Sequence, residues 1–322
     1  MSIYLCDIFK VILGLCMILK GADVMVESSS ALARKFAISE AVIGLTVMAF
    51  GTSLPEFVVS FFSALRGSGD MSVGNIMGSN IFNALCILGA SALFVVIPVG
   101  RRALKIDIPL SLLVAVLCCL LCFDVVLWNK GENMISRWDA LILMFFFGLF
   151  LCYTFRLAYR KDTGVIVEES TPVFLILLKI AFGIALLVFG GNILIGSASN
   201  IALNLGISEA VIGLTILAGG TSAPEFATSI VAARKGQIEM AIGNVIGSNV
   251  FNVLFVLGST ALIRPIYVTE MRPLDVVLFV GGPLLLWVFA LCFRRITRWM
   301  GIVMIAVYVA YLAMLVREVT FA

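Results

Sequence analysis

The 322-residue chain contains no histidine. That removes Ser-His and Cys-His nucleophile pairs and every H-E-x-x-H metalloprotease from consideration. Charge is scarce as well. Asp, Glu, Lys and Arg make up 13% of the residues, where soluble domains carry about 25%. A globule in water could not cover itself with so few. Paired thiols are missing although eight cysteines are present. Cys118, Cys119 and Cys122 share one apolar run, and Cys6, Cys16, Cys86, Cys152 and Cys292 lie in or beside others. No C-x-x-C pair is flanked by turn residues, so they read as small hydrophobes rather than a disulfide frame or zinc site. No P-loop occurs. Hydrophilic sequence of any length is confined to Arg156 to Thr171, with Arg160, Lys161, Asp162, Glu168 and Glu169.

What remains is apolar: 62% hydrophobic residues and a mean hydropathy of +1.15. The bilayer is therefore the solvent, and a spanning helix needs about 20 such residues. Hydropathy predicts ten spans, roughly 8–30, 42–65, 72–97, 107–127, 138–157, 173–198, 211–232, 241–262, 274–293 and 299–316. The expectation is an all-α integral membrane protein of the cell (inner) membrane. It divides into 1–157, a connecting loop 158–172, and 173–322. A cleavable leader is not expected. Asp7 precedes the first apolar run, and Lys20 and Asp23 lie within it, the wrong charge order for a signal peptide.

The two parts are repeats. Ile38-Ser39-Glu40-Ala41-Val42-Ile43-Gly44-Leu45-Thr46 recurs at Ile207 to Thr215, an offset of 169. Held without gaps, 38–89 against 207–258 gives 30 identities in 52 positions, Gly, Pro, Glu, Ser and Asn among them. Lys10 meets Lys179, Gly21 meets Gly190 and Asp23 meets Asn192; near the ends Arg137-Trp138 echoes Arg298-Trp299. Five spans per repeat force opposite orientations, the inverted architecture of secondary transporters, whose site lies at the midplane where the repeats meet. Thirteen basic residues fall in connections after odd-numbered spans and seven on the other side, with Lys20 and Lys179 assigned to spans. The richer side is expected to be cytoplasmic, with both termini extracytoplasmic.

Two constellations carry chemistry, each present twice. The first is Gly51-Thr52-Ser53-Leu54-Pro55-Glu56, mirrored by Gly220-Thr221-Ser222-Ala223-Pro224-Glu225. Proline lacks an N–H and its ring collides with the carbonyl four residues back, so each helix is expected to kink at Gly51 or Gly220. Freed carbonyls inside a bilayer need partners, and a cation can serve. Thr52 and Glu56, four apart, share the opened face. Ca²⁺ takes six to eight oxygens, and Na⁺ also takes hard oxygen ligands. An ionised acid at mid-bilayer costs roughly 2.5–3.5 kcal/mol on insertion scales. With no basic residue in these spans, two acids must be protonated or share a cation.

The second constellation is Gly74-Asn75-Ile76-Met77-Gly78-Ser79-Asn80-Ile81-Phe82-Asn83, mirrored by Gly243 to Asn252. Asn75, Ser79 and Asn83, and in the copy Asn244, Ser248 and Asn252, recur every four residues as one polar stripe. The glycines allow close backbone approach. Each feature has a plainer explanation: a kink as architecture, a G-x-x-x-G as packing, Ser and Asn as interhelical hydrogen bonders. Their duplication at a single offset argues against the plain explanations together. Lys20, Asp23 and Asp124 read as structural. Gly67-Ser68-Gly69-Asp70 matches the Gly-x-Gly-Asp of intramembrane aspartyl proteases, but it falls between spans, away from Asp124, and its counterpart is Gly236-Gln237-Ile238-Glu239.

At these motifs the chain resembles the sodium/calcium exchanger family, whose two α-repeats carry G-[TS]-S-x-P-E followed by G-N-x-x-G-S-N. The resemblance covers essentially the whole chain and is to the short, ten-span prokaryotic kind. It implies a Ca²⁺/Na⁺ antiporter, with no enzymatic activity and no cofactor beyond the transported ions. It implies Ca²⁺ held by Glu56 and Glu225 with the Thr52 and Thr221 carbonyls. Na⁺ sites would be lined by Ala49, Ser53, Ala218 and Ser222, with Ser79 and Ser248 opposite and Asn83 and Asn252 at the equator. The first and sixth helices would slide across a stationary core. Asn at both 83 and 252 leaves two carboxylates, which speaks against K⁺ co-transport. A Ca²⁺/H⁺ or other cation antiporter, and more distantly a channel or membrane scaffold, stand as alternatives.

Overall fold

The computed structural model describes residues 2–123, 132–159, 171–205, 218–269 and 271–321. Asp124, part of the 107–127 span, nearly all of the hydrophilic connection and the first third of the 211–232 span lie outside these residues. The chain is helical: α1 (Ser2–Phe36), α2 (Glu40–Thr52), α3 (Leu54–Leu65), α4 (Gly69–Phe94), α5 (Ala103–Cys122), α6 (Arg137–Tyr159), α7 (Val173–Asn204), α8 (Ala218–Thr221), α9 (Ala223–Arg234), α10 (Ile238–Ile263), α11 (Pro273–Phe293) and α12 (Arg298–Phe321). Among the described residues, seven helices are long and apolar enough to cross a membrane, or eight if α2 and α3 are one bent span. Helix α1 carries Asp7, Lys10, Lys20, Asp23, Glu27, Arg34 and Lys35 and runs 35 residues, past the apolar run at both ends. Helices α4 and α10 form the buried centre. The others turn apolar faces outward, with Phe145, Phe155, Phe174 and Val277 more than half exposed, the surface a lipid solvent favours.

Pro55 dictates the bend between α2 and α3. The two helices meet at 48°, and the break falls at Ser53, two residues beyond the expected Gly51. Ser53 sits at φ −83, ψ 11, its N–H still donating to Ala49 O at 3.1 Å. The helix thus keeps its ladder to the last residue before the proline turn. Ser222 repeats the conformation at φ −86, ψ 8 ahead of Pro224. Single π-helical turns interrupt α4 at Phe82–Ile87 and α10 at Asn252–Leu257, their starts 170 apart and so within one residue of the repeat offset. Such turns mark functional positions in helices.

Many tertiary contacts occur twice. Two-residue ribbons join β1 (Ile97–Pro98) to β4 (Arg295–Ile296) and β2 (Met134–Ile135) to β3 (Ile266–Tyr267). Each fastens the connection after the third span of one repeat to the one before the fifth span of the other. Asp107 accepts from Arg102 Nε at 3.1 Å and Tyr153 OH at 2.8 Å. Asp275 accepts from Arg272 Nε at 3.2 Å and Tyr311 OH at 2.9 Å. These pin α5 to α6 and α11 to α12. Asp70, in the first turn of α4, accepts from the Thr269 N–H in the connection after α10 at 2.7 Å.

Helices α1 and α7 lie along each other and cross at glycines. A Cβ on Gly14 would stand 2.8 Å from Gly190 O, and one on Gly21 2.9 Å from Gly183 O. Gly14 and Gly183 are repeat mates, as are Gly21 and Gly190, so the two contacts are one contact seen twice. Only glycine permits backbones this close. The pair sits unequally on the core. Helix α1 packs along α9, while α7 has no comparable contact with α3 among the described residues. Ala227 on α9 is 6% exposed, whereas its repeat mate Val58 on α3 is 50% exposed. At the end of α9 Lys235 pairs with Asp23 and, at 3.1 Å, with Glu27 of α1; Lys20 also reaches Asp23 at 3.6 Å. Burial opposes the Lys235 charge, but hydrogen bonds and attraction from Asp23 and Glu27 prevail and raise its pKa above the usual lysine value.

Candidate functional site

The two proline breaks bring Glu56 and Glu225 together, both with 0% exposure. Each carboxylate is held by a serine of the opposite repeat. Ser222 Oγ donates to Glu56 Oε1 at 2.9 Å, and Ser53 Oγ donates to Glu225 Oε1 at 2.7 Å. The exchange follows from the bend. A serine three residues before each glutamate, at the break itself, faces across the crossing rather than along its own helix. Ser79 Oγ approaches Glu56 Oε1 at 3.4 Å. Ser248, its mate, is fully buried and its hydroxyl has no hydrogen-bond partner.

Of the residues the sequence points to, Ser53, Ser79, Ser222, Glu56 and Glu225 are thus joined directly. Asn83 and Asn252, both at 0% exposure, stand one helical turn beyond Ser79 and Ser248 on the buried pair α4 and α10. Ala49 is buried, and its carbonyl accepts from the Ser53 N–H. Thr221 is buried too, while the side chain of Ala218 lies outside the described residues. The Thr52 hydroxyl turns back onto its own helix, donating to Met48 O at 3.0 Å, with Ala49 O and Asn244 Oδ1 both at 3.4 Å. This is the habitual bond of a threonine within a helix. Asn75 and Asn244 brace the site from behind: Asn75 Nδ2 donates to Ser60 Oγ at 2.9 Å, and Asn244 Nδ2 to Ser229 Oγ at 2.9 Å and Thr228 Oγ1 at 3.1 Å.

The remaining oxygens decide the chemistry. Glu56 Oε2, Glu225 Oε2, Asn83 Oδ1, Asn252 Oδ1 and Ser248 Oγ are buried and make no hydrogen bond. A buried acceptor left unmade costs about 1–3 kcal/mol, more when charged. Five such oxygens lie on one set of helices, with no cationic side chain bonded to either carboxylate among the described residues, and they are of the kind a hard cation takes. Among the described residues no third acidic or thiol side chain joins the pair. Asn80 and Asn249, also buried, fall within the G-N-x-x-G-S-N motif, but they lie off the polar stripe and the sequence reading gave them no role.

The sodium/calcium exchanger protein family model matches residues 8–156 and 175–317. The chain belongs to the sodium/calcium exchanger family. It is 36% identical to inner membrane protein YrbG of Escherichia coli, the match covering 94% of this chain and 95% of that one. It is 32% identical to sodium/calcium exchanger MaX1 of Methanosarcina acetivorans, covering 94% and 97% respectively. The fold superimposes on the sodium-calcium exchanger NCX_Mj, soaked with 2.5 mM Na⁺ and 0.1 mM Ca²⁺, with a TM-score of 0.82 and 31% identity, covering 96% of this chain and 98% of that one. The exchanger is a membrane protein and a transporter, not an enzyme, and its ions are cargo rather than cofactors.

Proposed function

We propose that this exchanger moves Ca²⁺ in one direction and Na⁺ in the other by alternating access. The observation that carries this is the Glu56–Glu225 pair, each tied by the other repeat's serine and each left with one unpartnered oxygen. A divalent ion balances two carboxylates, and several Na⁺ do so equally. Glu56 and Glu225 are the Ca²⁺ ligands with the carbonyls of Thr52 and Thr221. Ser53, Ser222, Ser79, Ser248, Ala49 and Ala218 serve Na⁺, and Asn83 and Asn252 complete the ring. The frame is ten spans in two inverted five-helix repeats, 1–157 and 173–322, joined by a cytoplasmic 158–172 loop. Helices α1 and α7, joined at their glycines, are the moving pair. With the basic-rich side cytoplasmic, the conformation described is closed inward at Lys235.

The test is ⁴⁵Ca²⁺ uptake into liposomes containing the purified protein. Uptake should require internal Na⁺ and collapse when Na⁺ is equal on both sides. A second reading, Ca²⁺/H⁺ exchange, has one observation in its favour: two facing buried carboxylates can carry a proton as readily as a metal. Uptake driven by a pH gradient without Na⁺ would establish it instead. Uptake indifferent to either gradient would leave a channel.

A further inference from the structure

An asparagine side chain can face a cation with its oxygen or, turned over, repel it with its NH₂. Something must decide this for Asn83 and Asn252. The hydrogen bonds around them supply the decision. A backbone carbonyl only accepts, so the side-chain amide group facing it must be nitrogen. Asn80 Nδ2 donates to Asn249 O at 3.1 Å. That leaves Asn80 Oδ1 to accept, and Asn252 Nδ2 donates to it at 3.1 Å. The other half runs the same way. Asn249 Nδ2 faces Asn80 O at 3.5 Å, and Asn249 Oδ1 accepts from Asn83 Nδ2 at 3.0 Å. Each chain of bonds starts at a main-chain carbonyl and ends at an unpartnered oxygen, Asn252 Oδ1 or Asn83 Oδ1. Turning Asn83 over would set oxygen against Asn249 Oδ1 and bury an unmatched NH₂. All four side chains are at most 4% exposed, so water offers no substitute.

We propose that Asn80 and Asn249 are positioning residues for ion exchange. They do not touch the ion. They hold the amides of Asn252 and Asn83 oxygen-first toward it, each acting on the opposite repeat. This rests on the reading that Asn83 and Asn252 face the transported cation.

The test uses a residue for which orientation is meaningless. A carboxylate presents oxygen whichever way it is turned. Asn249→Leu is therefore compared in two backgrounds, the natural chain and Asn83→Asp, by Ca²⁺ titration of the full-length protein in liposomes. In the natural background, half-saturation by Ca²⁺ should weaken by on the order of tenfold. In the Asn83→Asp background the same change should move it by about threefold or less. Equal weakening in both would make Asn249 a packing residue and overturn the proposal, as would no weakening in the natural background. Should Asn249→Leu fail to assemble, Asn249→Ala carries the same two expectations with no added bulk. The mirror pair, Asn80→Leu with and without Asn252→Asp, must behave alike. Failure of the unmutated protein to bind Ca²⁺ would strike the site itself. A Ca²⁺-binding parent with equal effects in both backgrounds would strike only the positioning role.

Discussion

At the scale of single residues, the proposed function makes the two glutamates equivalent members of one site. Glu56→Gln and Glu225→Gln keep shape and remove one charge each. At an effective dielectric near 20, a divalent ion 4 Å from a lost carboxylate forfeits about 8 kcal/mol before hydration offsets it. Each variant should reach the membrane in normal amount, because a neutral amide is cheaper there than a carboxylate. Each should fail in ⁴⁵Ca²⁺ exchange, and to a comparable degree; near-normal exchange by either would refute the site. Asn252→Asp adds a third carboxylate. Its expected outcome is a changed preference among cations or a changed pH profile, measured by competition for ⁴⁵Ca²⁺ uptake, rather than simple loss. These residues were legible because acid, proline and serine recur in register inside apolar sequence. Asn80 and Asn249 were visible in the G-N-x-x-G-S-N motif, but their role was not legible, since their partners lie 166 to 172 residues away in the other repeat.

At the scale of elements, the proline breaks were legible and displaced by two residues, because the helix holds its ladder until the turn before proline. The Asp107 and Asp275 clusters were not, since each draws its tyrosine from another helix. Tyr153→Phe and Tyr311→Phe each remove a hydrogen bond to a carboxylate, an interaction of about 1.5–3 kcal/mol. Both variants should melt earlier than the parent, by similar amounts, in thermal unfolding in detergent, with Ca²⁺ half-saturation unchanged. Lys235 is a different element-level device, tying α1 to the end of α9. Its ammonium is 29% exposed, and Asp23 and Glu27 are 37% and 67% exposed. Exposed pairs contribute about 0–1 kcal/mol, so this is a bias and not a lock. Lys235→Gln should raise the population closed at the opposite end by up to about fivefold. Labelling of a cysteine introduced at Val58, exposed on α3 in the present conformation, should slow accordingly; unchanged labelling would show the pair to be incidental.

At the scale of the whole molecule, the repeat was legible because 30 of 52 positions match, Gly, Pro, Glu, Ser and Asn among them, and low-complexity apolar sequence does not do that. Span ends were less so: α1 continues through its charged ends, where hydropathy stops but backbone hydrogen bonding does not. The thirteen-to-seven basic asymmetry gives a topology to test. A reporter active only in the cytoplasm, fused after Ala322, should be silent. A further consequence comes from what the repeats do not share. Asp23 and Glu27 have Asn192 and Gly196 as mates, and Lys235 has Arg66, so the inverted conformation cannot form the same cluster. In a machine of two interchangeable halves, such odd residues alone separate the standing energies of its two poses. Detailed balance then forbids any change in which way the ion gradients drive the cycle. It permits a difference in sensitivity: an ion arriving at the shut side meets a smaller receptive fraction and needs a higher concentration to half-fill the site. The exchanger is thereby expected to be the more sensitive listener on one side of the membrane while remaining reversible.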